Sequence, residues 1–398
     1  MDRVRRDVEA LAAMERGSAT SGELAAARFG AARLREAGAR DVELQPFRYQ
    51  RSWTGRQGAH LAAGLAAAAR GGGAGAALAL AALVSLELDF GGRSQWLGRL
   101  LPAGDGMNAV GRVPASGGRE RTLVLVAHHD TARTGIAWRN PRIAGVGTRA
   151  TLARLAGRHA DPDVMDSLST PPKLALAAIA AGCAAGSRRL RLAAAASLAT
   201  ALALALDVAR NESVPGASDN ATGVAGVLAL VERLAADPLP GTEVVAVLTG
   251  CEESGMGGMA AWLRSEGGWL DPPTTLVLGL DTLGAGEPIV VRAEGSIVPW
   301  RYRPSDLDRA DRGARRAGLD PPRRMQLGGW TDPLLAVHAG LPSISLLSAR
   351  GSWFTNYHQP TDTPDRVDWS SVESCIALAA GIAADWADPA TTEGLYDL

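Results

Sequence analysis

The segment Ala217-Ser218-Asp219-Asn220-Ala221-Thr222-Gly223 lies between a strongly apolar stretch upstream and two carboxylate-rich motifs downstream. A short polar loop with one central carboxylate, running into small residues that favour a helix over 221–236, can set an acid beneath a pair of metal ions. Asp219 is therefore read as a carboxylate bridging two metals. The same residue types also cap helices, so the assignment rests on whether the chain supplies further ligands in a usable order.

Around this loop the sequence alternates between two periodicities. Apolar runs at 122–127, 243–249 and 275–280 read as buried strands, with further strands at 42–49, 108–113, 289–291 and 343–347. Helical spacing or capping residues mark 2–15, 21–37, 221–236, 256–265, 306–317, 332–339 and 370–386. Strand and helix in alternation predict an α/β fold, with a mostly parallel, mixed central sheet and helices on both faces. The 398 residues suffice for one large domain with insertions, and a net charge of −1 excludes nucleic acid and acidic lipid as charge-driven partners. Cys183, Cys251 and Cys375 are too widely spaced for a disulfide framework or a thiolate zinc site. No apolar core follows the basic residues at the N-terminus, so no signal peptide is expected.

Two regions break the pattern. Between 61 and 88 the only charges are Arg70 and Glu87, and 174–186 and 192–206 are apolar on every side. Each uninterrupted piece is shorter than the ~20 residues a span requires. As helical hairpins at 59–90 and 173–206, with tips at 70–73 and 187–191, they are expected to enter a bilayer that thins around them. The absence of a polar face in 192–206 argues against an exposed soluble helix. The alternative is a cytoplasmic protein whose Ala-rich helices bury one another. Arginines at the tips and on the domain side leave orientation open.

Several residues carry chemistry. In Val126-Ala127-His128-His129-Asp130-Thr131 the H-x-D spacing puts His128 and Asp130 on one face of an extended segment. His128 can then bind a metal while Asp130 orients its ring; His129 points away. In Thr249-Gly250-Cys251-Glu252-Glu253-Ser254-Gly255, adjacent carboxylates make sense beside cations, Glu253 as a ligand and Glu252 as a free general base. Asp281 ends a third apolar strand, and His358 sits in a polar loop. His128, Asp219, Glu253, Asp281 and His358 together suit two zinc ions, with cobalt or manganese as substitutes. Tyr357 is a donor for an oxyanion.

The ordered motifs H-x-D, G-A-x-D-N-A-T-G, E-E-x-G, L-D-T-x-G and Y-H-x-x-x-D-T resemble the clan-MH zinc aminopeptidases, the family of bacterial leucyl aminopeptidases and aminopeptidase Y. The resemblance implies Asp219 bridging, His128 and Asp281 each with one or other zinc, and Glu253 and His358 as the remaining ligands. It also implies Glu252 as general base, Tyr357 at the oxyanion, and Asp332 near the substrate pocket. The expected substrate is a peptide or small amide. Residues 1–58, 91–172 and 207–398 would form the metallopeptidase domain, with the apolar hairpins inserted. The long interval between Asp130 and Asp219, which contains the second hairpin, departs from the family pattern. Glutaminyl cyclases share the fold with a single zinc, and a catalytically silent, membrane-anchored binding module is the non-enzymatic alternative.

Overall fold

In a computed structural model that describes residues 1–140, 142, 147–388 and 390, nine strands form one sheet. They are β1 (Arg40–Tyr49), β2 (Gly104–Val113), β3 (Ser116–His128), β4 (Pro240–Thr249), β5 (Thr275–Leu280), β6 (Glu287–Glu294), β7 (Trp300–Arg301), β8 (Arg323–Leu327) and β9 (Ser343–Ala349). The spatial order is β1-β2-β4-β3-β5-β9-β6-β7, with β8 beside β6. The fold is mixed α/β. Its centre, β4-β3-β5-β9, is parallel, and the flanking pairs β1-β2, β2-β4 and β6-β9 are antiparallel. The near-continuous apolar runs lie in this centre because strands covered on both faces can hold no polar face. Residues 141, 143–146, 389 and 391–398, part of the expected domain ranges, lie outside the described residues.

Two strands escape sequence periodicity. In β8, Arg323-Arg324-Met325-Gln326-Leu327 buries only Met325 and Leu327, and β7 has two residues. The helix Thr222–Ala236 packs its apolar face under the sheet.

The parallel centre places the site. His128 closes β3, Thr249 closes β4 and Leu280 closes β5, with His128 opposite Thr249 in register. The residues that follow, including Glu252, Glu253 and Asp281, therefore gather at one edge, where open α/β sheets bind ligands.

The two apolar regions form helices Thr54–Arg70, Gly72–Phe90, Thr170–Ala184 and Arg188–Arg210. They do not stand apart as separate hairpins. They pack as one four-helix bundle around Leu61, Leu86, Leu176, Ile179 and Leu198. Gly64 permits the approach: a Cβ there would come within 2.4 Å of Leu176 and 2.6 Å of Leu198. At the tips, Arg191 Nη1 donates to the Ala68 carbonyl across the hairpins at 2.7 Å. Helices Gly72–Phe90 and Arg188–Arg210 are long and apolar enough to cross a membrane by length and composition. Their outer faces expose Leu80, Val84 and Leu192.

The bundle is tied by buried charges to the sheet edge that carries the Glu252–Glu253 loop. Arg56 pairs with Asp89 at 2.7 Å, both essentially inaccessible, and also donates to the Ser254 carbonyl. Lys173 pairs with Glu87 at 2.5 Å and donates to Ser296. Charges this deep persist only when paired.

Candidate metal centre and substrate cleft

The Asp219 loop is held from three sides. The Asp362 carboxylate accepts from the backbone N–H groups of Ser218 (2.8 Å) and Asp219 (3.0 Å). The Asn220 amide donates to the Leu280 carbonyl at 3.0 Å, and its oxygen accepts from Gly223 and Thr282. This ties the loop to the end of β5. A Cβ at Gly223 would lie 2.2 Å from the Asn220 side-chain oxygen, so glycine is required for the helix to start this close. Beneath the loop, the buried Arg16 guanidinium donates to the carbonyls of His129, Pro215 and Gly216.

Asp130 fixes the paired glutamates. Its carboxylate accepts from the backbone N–H of Glu252 (3.0 Å) and Glu253 (3.2 Å) and from the Ser18 hydroxyl (2.6 Å). Its link to His128 is weaker than expected. Nδ1 lies 3.2 Å from the Asp130 carbonyl oxygen and 3.6 Å from its carboxylate. Asp130 thus braces the Glu252–Glu253 loop first and the imidazole second.

The five candidate ligands converge. His128 Nε2 lies 3.4 Å from Asp219 Oδ1 and 3.7 Å from Asp281 Oδ1. His358 Nε2 lies 3.2 Å from both Asp219 Oδ2 and Glu253 Oε2. Two triplets result, His128–Asp219–Asp281 and Asp219–Glu253–His358, with the ligand atoms of each within 4.8 Å of one another. Asp219 belongs to both and offers one oxygen to each. Glu252 belongs to neither; its Oε2 is 4.0 Å from His128 Nε2. His129 is buried away from both triplets.

The electrostatics describe a surplus of buried negative charge. Burial disfavours a charged His358, yet Glu253 and Asp219 lift it to about 10. His128 is likewise raised against burial by Asp130, Asp219 and Asp281. Burial pushes Glu252 well above the carboxylate range; His128 opposes this, while Asp332, Glu253 and Asp281 reinforce it. Burial and the neighbouring carboxylates raise Tyr357, which keeps its proton and remains a donor. Each triplet offers one imidazole with carboxylates, a donor set suited to zinc, and the buried Glu253 Oε1 has no hydrogen-bond partner. The residues fit a pair of dications.

Two cavities meet the triplets. A small one of about 30 Å³ is walled by the five candidate ligands, Glu252 and Tyr357. A larger cleft of about 150 Å³ has Glu252, Glu253, Tyr357 and His358 at its floor and Trp53, Phe90, Trp138, Trp330 and Trp353 in its walls. Trp53 and Phe90 come from the base of the bundle, so the bundle shapes this cleft. Trp138 meets His358 edge-on at 4.2 Å between ring centroids. Asp332 is not in the wall. It accepts from the Thr249 hydroxyl behind the site, burial raises it to about 7, and Gly329 and Trp330 face the cleft instead.

Sequence reasoning missed the braces. Glu23 accepts from the backbone N–H of Ala19 (2.6 Å), Met107 (3.1 Å) and Cys251 (3.2 Å), locking the approach to Glu252. A glutamate in the first turn after Thr20 reads as a helix-capping pair, which hides this role. Asp362 stands in the last motif, and its spacing from His358 was the available signal.

Residues 201–383 match the model of peptidase family M28. None of the curated proteins matches the chain. Among solved structures, the zinc aminopeptidase BSAP from Bacillus subtilis is similar, at 14% identity over 96% of this chain and 94% of that one, with a TM-score of 0.55. An aminopeptidase from Aneurinibacillus sp. strain AM-1 is 12% identical over 96% and 93%, with a TM-score of 0.54. The Bacteroides thetaiotaomicron glutaminyl cyclase is 12% identical over 96% and 97%, also at 0.54. At these identities the likeness establishes the fold.

Proposed function

We propose that this chain, which carries a peptidase family M28 domain, is a zinc-dependent metallopeptidase that removes N-terminal residues from peptides. The observation that carries the proposal is the pair of triplets sharing Asp219, with Glu252 adjacent and in neither. His128, Asp219 and Asp281 would hold one zinc, and Asp219, Glu253 and His358 the other. The ions would supply Lewis acidity, acidifying water and polarising the scissile carbonyl.

The chain's own groups do the rest. The Glu252 carboxylate accepts a proton from the attacking water as its oxygen bonds to the carbonyl carbon. Glu252 returns that proton to the amine nitrogen as the C–N bond breaks. The Tyr357 hydroxyl donates to the carbonyl oxygen as negative charge builds there. Asp130 acts through the Glu252 and Glu253 backbone that it fixes, and Trp53, Trp138, Trp330 and Trp353 give the cleft apolar walls.

Zinc content and leucyl-p-nitroanilide hydrolysis test this directly. The expected result is two zinc per chain, with Glu252→Gln retaining both and losing activity by ~10²–10⁴-fold. Full activity in Glu252→Gln would refute the base assignment. One metal per chain with cyclisation of N-terminal glutaminyl peptides would favour the cyclase reading, whose fold is shared. Bound metal without turnover of either substrate would favour a silent binding module. The proposal also takes residues 1–58, 91–172 and 207–398 as the peptidase domain. Residues 59–90 and 173–206 are then insertions that attach it to a membrane through the exposed faces of two apolar helices. Sedimentation with membranes through carbonate extraction is expected; recovery in the soluble fraction without detergent would exclude attachment.

A further inference from the structure

Helices Gly72–Phe90 and Arg188–Arg210 are apolar, yet they are not core helices: of the most apolar 18 residues in each, 28% and 22% are buried. Among the described residues, every exposed residue along 72–86 and 192–206 is apolar except Ser197 and Thr200. This band is about 22 Å tall. The exposed Arg70, Arg188 and Arg189 bound it at the tips, and the paired Glu87 and Asp89 bound it at the base. At the base of Gly72–Phe90 stands a collar of exposed apolar side chains, Trp96, Leu100, Ile297 and Val298. Trp96 Nε1 donates to the Ser85 hydroxyl at 2.8 Å, and Val298 N donates to the Glu87 carboxylate at 3.4 Å. Both collar segments are thus held to the last turns of that helix. The exposed Arg93 and Arg99 flank Trp96 in the chain, and Arg93 sits 4.1 Å over the Trp300 ring.

The cleft lies at the height of this collar. Its walls include Phe90, the last residue of Gly72–Phe90, together with Trp53 and Ser169, the N-caps of Thr54–Arg70 and Thr170–Ala184. Three helix ends therefore roof a slot whose floor is Glu252, Glu253 and His358. Phe90 is within about 8 Å, along the helix axis, of the Ser85 that holds Trp96. We propose that the collar seats the cleft at the headgroups of a bilayer and that the substrate is a membrane-held peptide, its free N-terminus at the floor and its following chain in the lipid. The inference rests on the metallopeptidase and membrane-attachment readings. Lipid, rather than a second copy of the chain, covers the outer faces, because the apolar band ends in charge at both heights and in Trp and Arg at the base. That is the layering of a bilayer, and the band reaches across most of a ~30 Å hydrocarbon core. A peptide extends by about 3.3–3.6 Å per residue, so a chain leaving the cleft past Phe90 reaches the collar within about three residues.

The zinc-loaded full-length protein in phosphatidylcholine–phosphatidylglycerol vesicles tests this. The substrates are peptides with an N-terminal leucine, a spacer of about three, six or twelve residues, and a C-terminal hexadecyl chain that holds them in the bilayer. The shortest should be cleaved with a kcat/KM at least ~10-fold above that of the same peptide without the hexadecyl chain. Cleavage that appears only with the longest spacer, about 40 Å, would place the cleft far above the lipid and overturn the proposal. A second measurement needs no turnover. Cys183, Cys251 and Cys375 are buried, so an environment-sensitive fluorophore attached to Ile297→Cys reports the collar alone. Lipids carrying a headgroup nitroxide should quench it in vesicles, and an unquenched label would overturn the proposal. A protein that stays off the vesicles as a soluble dimer removes the attachment and this proposal with it. Absence of leucyl-p-nitroanilide hydrolysis counts against the peptidase reading instead, while the label still judges where the cleft sits.

Discussion

Asp130→Asn isolates how much of the chemistry depends on a residue that touches neither substrate nor scissile bond. The carboxylate accepts two backbone donors, Glu252 N at 3.0 Å and Glu253 N at 3.2 Å, plus the Ser18 hydroxyl at 2.6 Å. An asparagine has one acceptor oxygen; its NH₂ group would face a backbone N–H and repel it. One charge-assisted hydrogen bond is lost, and such bonds contribute about 1.5–3 kcal/mol. If that energy holds Glu252 in register with its water, kcat/KM falls by ~10–150-fold, since each 1.36 kcal/mol is tenfold. Asp219 is positioned independently, through Asp362 and Asn220, so among the candidate ligands the change loosens only Glu253 and His128. The expected outcome is near-normal zinc content with a lowered kcat and little change in KM, read from leucyl-p-nitroanilide kinetics and metal analysis on the same preparation. Activity within twofold of the parent, with metal retained, would refute the claim that Asp130 acts through the glutamate loop.

Three further expectations follow from buried charges and the triplets. Arg56→Met strands Asp89 in a dry site at a cost of about 3–5 kcal/mol and frees the Ser254 carbonyl. The melting temperature should drop and recover in Arg56→Met/Asp89→Leu; a parental value in the single variant contradicts this. Burial raises Asp306 from 3.8 to about 6, against its bond from Ser343 N. The folded state thus holds this proton more tightly than the unfolded chain. The penalty is absent below pH 3.8 and complete above about pH 6, on the order of 3 kcal/mol. Asp306→Asn should therefore melt progressively higher than the parent as pH rises from 4.5 to 7; parallel melting curves would contradict it. Chelation should lower the melting temperature and zinc should restore it, since a ligand at 100 times its Kd stabilises the folded state by ~2.7 kcal/mol; no response in differential scanning calorimetry would argue against bound ions.

The candidate centre was legible where strand physics controls it. His128, Glu253 and Asp281 each follow an apolar run that folds as a central parallel strand, and such strands deliver their ends to one edge. Asp219 and His358 come from loops, and there the signal lay in neighbours with fixed hydrogen-bonding tasks, Asn220, Gly223 and Asp362. The braces Arg16 and Glu23 were hidden because a local cap explains Glu23 equally well and nothing local explains Arg16. Its partners at His129 and Gly216 are more than a hundred residues away. β8 was hidden because its arginines Arg323 and Arg324 break the apolar alternation.

The bundle was illegible for a different reason. Alanine-rich helices have no side-chain pattern that says which helix they meet, so two hairpins far apart in sequence read as two independent devices. The information lay in their few charges. Lys173, at the edge of one apolar stretch, and Glu87, near the end of the other, each read alone as the point where a helix returns to water. In the structure they are partners, and the Lys173 side chain is fully buried. Arg191 reaches across to Ala68 in the same way, and Arg56 to Asp89 within the first hairpin. An isolated charge in an apolar helix costs several kcal/mol unless it is paired, so charges of opposite sign kept in two such hairpins are evidence that the hairpins meet. By that argument the bundle is one unit seated on the cleft through Trp53 and Phe90. Its charges would hold those two rings in place whether its outer face meets lipid or water.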